Sequence, residues 1–285
     1  MSIGSYTFVS KQWKDLEYPV DLYIKWNSRH FDEMSIYTYG KVELPNNVPD
    51  NVKIIEGVDP NDSGFKFYTF GLEKAMQSLE TEWKVYLASD EFIKERIKTD
   101  DLNKRLAYPV KRIDLYGNIY TQILHAFIKY EYRIHYGNRK LLGDGGSPAP
   151  PFSGRIHLDG IRYLLTDYIR HKPSFREEPI FTTDFIPGTI YHTNALRSPD
   201  KMSKKWYLQF LRERNAGVKR PDYDKVFNEI VSKPFDYRNY KLYWPKAELV
   251  KIDPIPILVE NRERFVNVNF DLAGEERSNE IKEHE

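Results

Sequence analysis

Near residue 65 the hydrophobic pattern of this chain changes period. Before it, "SYTFVS", "VDLYIKW", "MSIYTYGKVEL" and "VKIIEGV" are short segments rich in Val, Ile, Tyr and Thr. The turn clusters "LPNNVPDN" and "VDPNDSGF" punctuate them, which is the pattern of short strands. After it, Leu72, Ala75, Met76, Leu79, Trp83, Tyr86 and Leu87 recur at three- and four-residue steps. That spacing predicts one amphipathic helix with Glu73, Lys74, Glu80 and Lys84 on its wet face. Strands followed by helices predict an α+β fold: an extended N-terminal section, then central amphipathic helices.

Three more helices are expected from pattern and caps. "SDEFIKERIKTDDLNKRL" opens on a capping Ser89, and "GNIYTQILHAFIKYEYRIHYGN" lies between Asn118 and Gly137. "RIHLDGIRYLLTDYIRHKP" stops at Pro173. The residues "EEPIFTTDFIPGTIYHTN" read as extended. A further helix starts at Ser198 with Pro199 in its first turn and Gly217 at its end. "RPDYDKVFNEIVSKP" reads as a short helix. From Phe235 onward the prolines at 245, 254 and 256 deny the chain a continuous ladder, which predicts an extended C-terminal arm and a charged tail. The organisation so read is 1–140 strands then helices, 141–155 a Gly/Pro hinge, 156–234 helical with one extended insert, and 235–285 the arm.

Composition narrows the function classes. The 285 residues carry 43 basic and 42 acidic side chains, so any polyanion site is local rather than global. No cysteine is present. That removes disulfides, thiolate metal ligands and a Cys nucleophile, and fits a reducing, intracellular compartment. No run approaches the roughly 18 apolar residues of a membrane span, and the N-terminus lacks a signal-peptide pattern. The 21 tyrosines suit half-buried surfaces and interfaces.

Chemical motifs are sparse. "LLGDGGSPAPPFSGRIHLDG" carries a His157-x-Asp159 pair that resembles part of an iron-binding facial triad. Two residues apart on a helix point nearly opposite ways, so the pair reads as a helix start after a hinge, not a metal site. Glu131 and His135 read as a helical i,i+4 pair. Walker, dinucleotide, G-x-S-x-G and H-E-x-x-H patterns are missing. No catalytic, cofactor or metal residue is therefore assigned, and no cofactor is expected.

Two surfaces stand out. The helix 201–220 is basic: Lys201, Lys204, Lys205, Arg212, Lys219 and Arg220 are candidate contacts for nucleic-acid phosphates or anionic lipid. In the arm, Ile252, Ile255, Ile257 and Leu258 are candidate partner contacts, because an arm of this kind must dock somewhere to offset its ordering entropy. The resulting expectation is a non-catalytic structural or accessory subunit of a multiprotein assembly, mitochondrial or viral in style, with other protein subunits as partners. The alternatives are an enzyme built on His125, His157 and His192, or a polyanion binder using residues 201–220.

Overall fold

The computed structural model describes residues 1–57, 65–104, 106–124, 130–138, 180–181, 185–215, 235–243 and 246–270. It is an α+β fold, and its sheet begins with the expected N-terminal strands. β1 (Ile3–Ser10) pairs in parallel with β2 (Glu33–Tyr39) on one side and β4 (Trp83–Tyr86) on the other. β2 in turn pairs in parallel with β3 (Val52–Gly57). The order is thus β3-β2-β1-β4, with helix α1 (Val20–Asn27) between β1 and β2 and helix α2 (Phe65–Ser78) between β3 and β4.

Period-two alternation sends each strand's side chains to two cores. Ile3, Val9, Met34, Ile36, Trp83 and Val85 join Val20, Tyr23 and Ile24 of α1 in the main core. Tyr6, Tyr37, Tyr39 and Tyr86 face the other way, against Leu72, Ala75 and Met76 of α2. Gly71 permits that approach: a Cβ there would meet the Tyr39 hydroxyl at 2.4 Å. Much of the tyrosine excess in this part of the chain is therefore the lining between sheet and helix.

Beyond β4 the sheet turns mixed. β8 (Tyr130–Tyr136) runs antiparallel to β4 and to β6 (Leu106–Tyr116). β7 (Asn118–Leu124) is antiparallel to β6, and β11 (Glu248–Lys251) to β7. β10 (Gly188–Ala195) pairs in parallel with β6 and antiparallel with β5 (Glu91–Ile93). β9 (Ile180–Phe181) pairs with the start of β6. Helix α3 (Pro199–Asn215) follows β10.

Several expected elements differ. "VDLYIKW" is α1 rather than a strand: Val20, Tyr23, Ile24 and Asn27 are all buried at one-face helical spacing. The helix expected to carry Trp83 ends at Ser78, and Trp83–Tyr86 is a strand buried on both faces between β1 and β8. Trp83 is fully buried, as expected, in a different element. The capped helix expected at Ser89 is instead led by strand β5. Asn118–Leu124 and Tyr130–Tyr136 are strands β7 and β8 rather than parts of a helix, so the Glu131/His135 helical pair does not form. Their β-branched and aromatic residues suit a pleated surface, and β6 provides the partner for both. His135 instead accepts from the Tyr6 hydroxyl at Nε2 (3.1 Å), since its Nδ1 must donate to the Gly137 carbonyl (3.0 Å). Burial pushes the Tyr6 hydroxyl pKa far up, so it stays a donor. Helix α3 begins at Pro199 behind Ser198, as read from the sequence. The hinge 141–155 and the helices expected at 155–173 and 220–234 lie outside the described residues.

The arm from Phe235 is less extended than expected. It contains helical turns at Tyr237–Asn239 and Tyr240–Tyr243 and a short helix Pro256–Glu260, where proline sits in the first turn and loses no bond. Its later strap crosses β6–β7: Val268 N–H donates to Gly117 O (2.7 Å), and Asn118 Nδ2 donates to Val268 O (2.7 Å). Gly117 has φ +67°, and a Cβ there would lie 2.6 Å from the Phe270 ring.

Candidate functional site at the C-terminal ends of β1 and β4

The strand order reverses at β1: the chain steps outward to β2 and β3, then returns to the far side as β4. In open parallel sheets the loops leaving two such strands diverge, and that edge is where ligands commonly bind. The residues found there are charged. Asp90 lies four residues after β4 and is 2% exposed. Its carboxylate accepts from Arg197 Nη2 (2.8 Å), with Lys205 Nζ at 3.6 Å and His192 Nε2 at 3.7 Å. The His192 Nδ1 lies 2.7 Å from Asp114 Oδ1. A carboxylate only accepts, so that nitrogen carries the proton. Arg112 Nε lies 3.0 Å from Asp114 Oδ1 on the other side. Next to Asp90, Glu91 makes a two-pronged pair with Arg133 (2.5 and 3.0 Å), both side chains at most 4% exposed.

Sheet register aligns this network. His192 stands opposite Asp114 across β10–β6 and opposite Glu91 across β10–β5. The loop after β1 closes it: the Tyr18 ring lies under the Arg197 guanidinium (4.0 Å) and near the Lys205 ammonium (5.0 Å). Burial pushes the Asp90 carboxyl up, but Lys205, His192 and Arg197 outweigh it and hold the group well below its ordinary range. Lys205 is pulled down, chiefly by burial and then by Arg197. Three permanent cations, Arg112, Arg133 and Arg197, meet three carboxylates, with Lys205 as a further basic group. Such a site favours an anion. Among the described residues no group of three His, Asp or Glu is arranged to hold a metal ion.

Of the residues singled out from sequence, His192 and Lys205 are in this network. Lys201 and Lys204 lie at its rim, both paired with Asp15. For Arg212 the backbone alone is described, within α3, and Lys219, Arg220, His125 and His157 lie outside the described residues. Ile255, Ile257 and Leu258 are buried in the chain's own main core, with Ile252 packed against it. Asp90, Glu91, Asp114 and Arg133 were not anticipated. The available signal was "WKVYLASDE": an apolar strand running into paired acids.

No family model matches the chain, and no curated protein matches it. Solved structures do. The crystal structure of S. aureus TarS is 11% identical, with a TM-score of 0.35, over 85% of this chain and 45% of that one. S. aureus TarS 1-349 in complex with UDP is 11% identical, with a TM-score of 0.32, over 85% of this chain and 72% of that one. The chain thus spans less than half of the first TarS chain. The expected non-catalytic assembly subunit is corrected here. The arm that motivated it packs Ile255, Ile257 and Leu258 into the chain's own main core. No described helix is long and apolar enough to cross a membrane.

Proposed function

We propose that this chain is a group-transfer enzyme that takes a nucleotide-linked donor at the C-terminal ends of β1 and β4. The observation that carries the reading is the buried network around Asp90, placed where the strand order reverses. An open parallel sheet offers its ligand crevice there, and the clustered arginines with Lys205 suit a diphosphate. The loop after β1, "KQWKDLEYP", is neither a P-loop nor a glycine-rich dinucleotide fingerprint. That favours a donor whose diphosphate departs over a hydride carrier or a hydrolysed triphosphate. His192, with one nitrogen held by Asp114, is a proton-handling group already oriented at that edge.

Isothermal titration with UDP, the ligand named for the TarS complex, is the direct test, with GDP, CDP and ADP beside it. Saturable binding is expected for at least one nucleotide. Lys205→Met is expected to weaken it by about tenfold or more, the scale of one lost charge-assisted contact. Flat titrations with all four would sink the reading.

A further inference from the structure

The loop joining β1 to α1 bonds to the start of α3 through its acids. Glu17 accepts from the Ser198 backbone N–H at Oε2 (2.8 Å) and from the Ser198 hydroxyl at Oε1 (2.9 Å). Asp15 pairs with Lys201 (3.3 Å) and with Lys204. The groups on the α3 side are thus an amide, a hydroxyl and two ammoniums, all donating. A set of donors alone is what an oxyanion requires. Beside it, the Arg197 side chain is 2% exposed and its Nε has no acceptor among the described residues.

The hold is also weak and strained. Asp15, Lys201 and Lys204 are 47%, 32% and 46% exposed, and exposed ion pairs contribute little. Glu17 has φ +55°, left-handed backbone that a non-glycine residue keeps only where its contacts impose it. The loop's apolar anchors are separate: Leu16 is 5% exposed, and Trp13 packs against the main core. The two carboxylates can therefore swing out while the loop stays seated.

We propose that this loop is an acidic strap. The carboxylates of Asp15 and Glu17 occupy positions that phosphate oxygens take when a phosphate-bearing ligand binds, with Lys201, Lys204 and the Ser198 N–H as the shared donors. The proposal rests on the nucleotide reading above and adds to it a built-in competitor that sets affinity.

The test is calorimetric titration of the full chain and of Asp15→Asn/Glu17→Gln with UDP and, separately, with inorganic pyrophosphate. Thermal unfolding checks that both proteins are folded. The double variant is expected to bind more tightly by about three- to tenfold, the scale of losing one or two exposed competing pairs. Adding Lys201→Ala/Lys204→Ala should abolish that gain. UDP binding that is unchanged or weaker in the double variant overturns the strap and leaves the nucleotide reading standing. A gain with pyrophosphate alone, without UDP binding, supports the strap and removes the nucleotide. No binding of either ligand to any of the proteins overturns both.

Discussion

The two ends of the parallel strands carry similar charges in opposite surroundings. At the N-terminal ends, Glu33 and Glu80 pair with Lys53, and Asp32 pairs with Arg96 at 2.7 Å. These groups border an open cleft lined by Ser2, Asp50, Asn51 and Thr81. Lys53 is 42% exposed and Glu80 is 89% exposed. At the C-terminal ends, Asp90 and Arg197 are 3% and 2% exposed. Water replaces a lost partner at the first end and not at the second. Ion pairs of similar geometry are thus decoration at one edge and obligatory at the other. A fold keeps a buried charged network at a cost in desolvation, which makes the C-terminal edge the place to look for chemistry.

Four measurements would break or sharpen that contrast. The largest effect is expected for Arg197→Ala, which leaves Asp90 buried without its closest cation. Urea unfolding should show a loss of about 3–5 kcal/mol, the range for breaking a buried pair from one side. A loss below about 1 kcal/mol would mean the crest is wetter than its burial implies.

Next is the acid limb of the stability curve. The Asp90 carboxyl sits below its ordinary 3.8 in the fold, so the unfolded chain binds its proton first as pH falls. Its contribution is fully present above that ordinary value and drains away as pH drops toward the folded one. Asp90→Asn should be less stable at pH 7 and show a shallower acid loss. Parallel acid limbs in the two proteins would contradict the paired carboxylate.

A smaller effect is expected at Lys84, 2% exposed, whose ammonium donates to Met76 O (2.9 Å) and Leu79 O (2.7 Å) at the end of α2. Burial pushes its pKa from 10.5 down to about 8. Between those values the unfolded chain holds the proton and the folded one does not, so stability should rise with pH across that window. Lys84→Met should lack this part of the rise. Identical slopes would show that the α2 carbonyls keep the ammonium charged throughout.

The smallest effect is expected at the other edge. Lys53→Ala should change stability by about 1 kcal/mol or less, as exposed pairs do. A loss comparable to that of Arg197→Ala would erase the distinction between the two ends.

Local chemistry was enough to place some elements. Ser198 followed by Pro199 starts α3, because a cap and a residue without an N–H need only their own turn. β1, β2 and β3 follow from β-branched and aromatic runs between turn clusters. The absence of cysteine and the near-neutral charge follow from composition alone. Other segments were decided by distant partners. Trp83–Tyr86 continues a helical spacing from Leu72, yet it becomes a strand because β1 and β8 flank it and both its faces are buried. Residues 118–136 have helical and strand periods alike, and β6 settles the matter by pairing with both halves. The candidate site is the extreme case. Asp90, Asp114, His192 and Arg197 are up to 107 residues apart, and no local pattern joins them. Only the reversal of strand order at β1, with the register of β10 on β5 and β6, brings them into one buried network. Short-range propensity acts on a turn or a few residues, whereas burial and pairing energies are earned by long-range contacts, so a sequence can spell out its caps and leave its site unspelled.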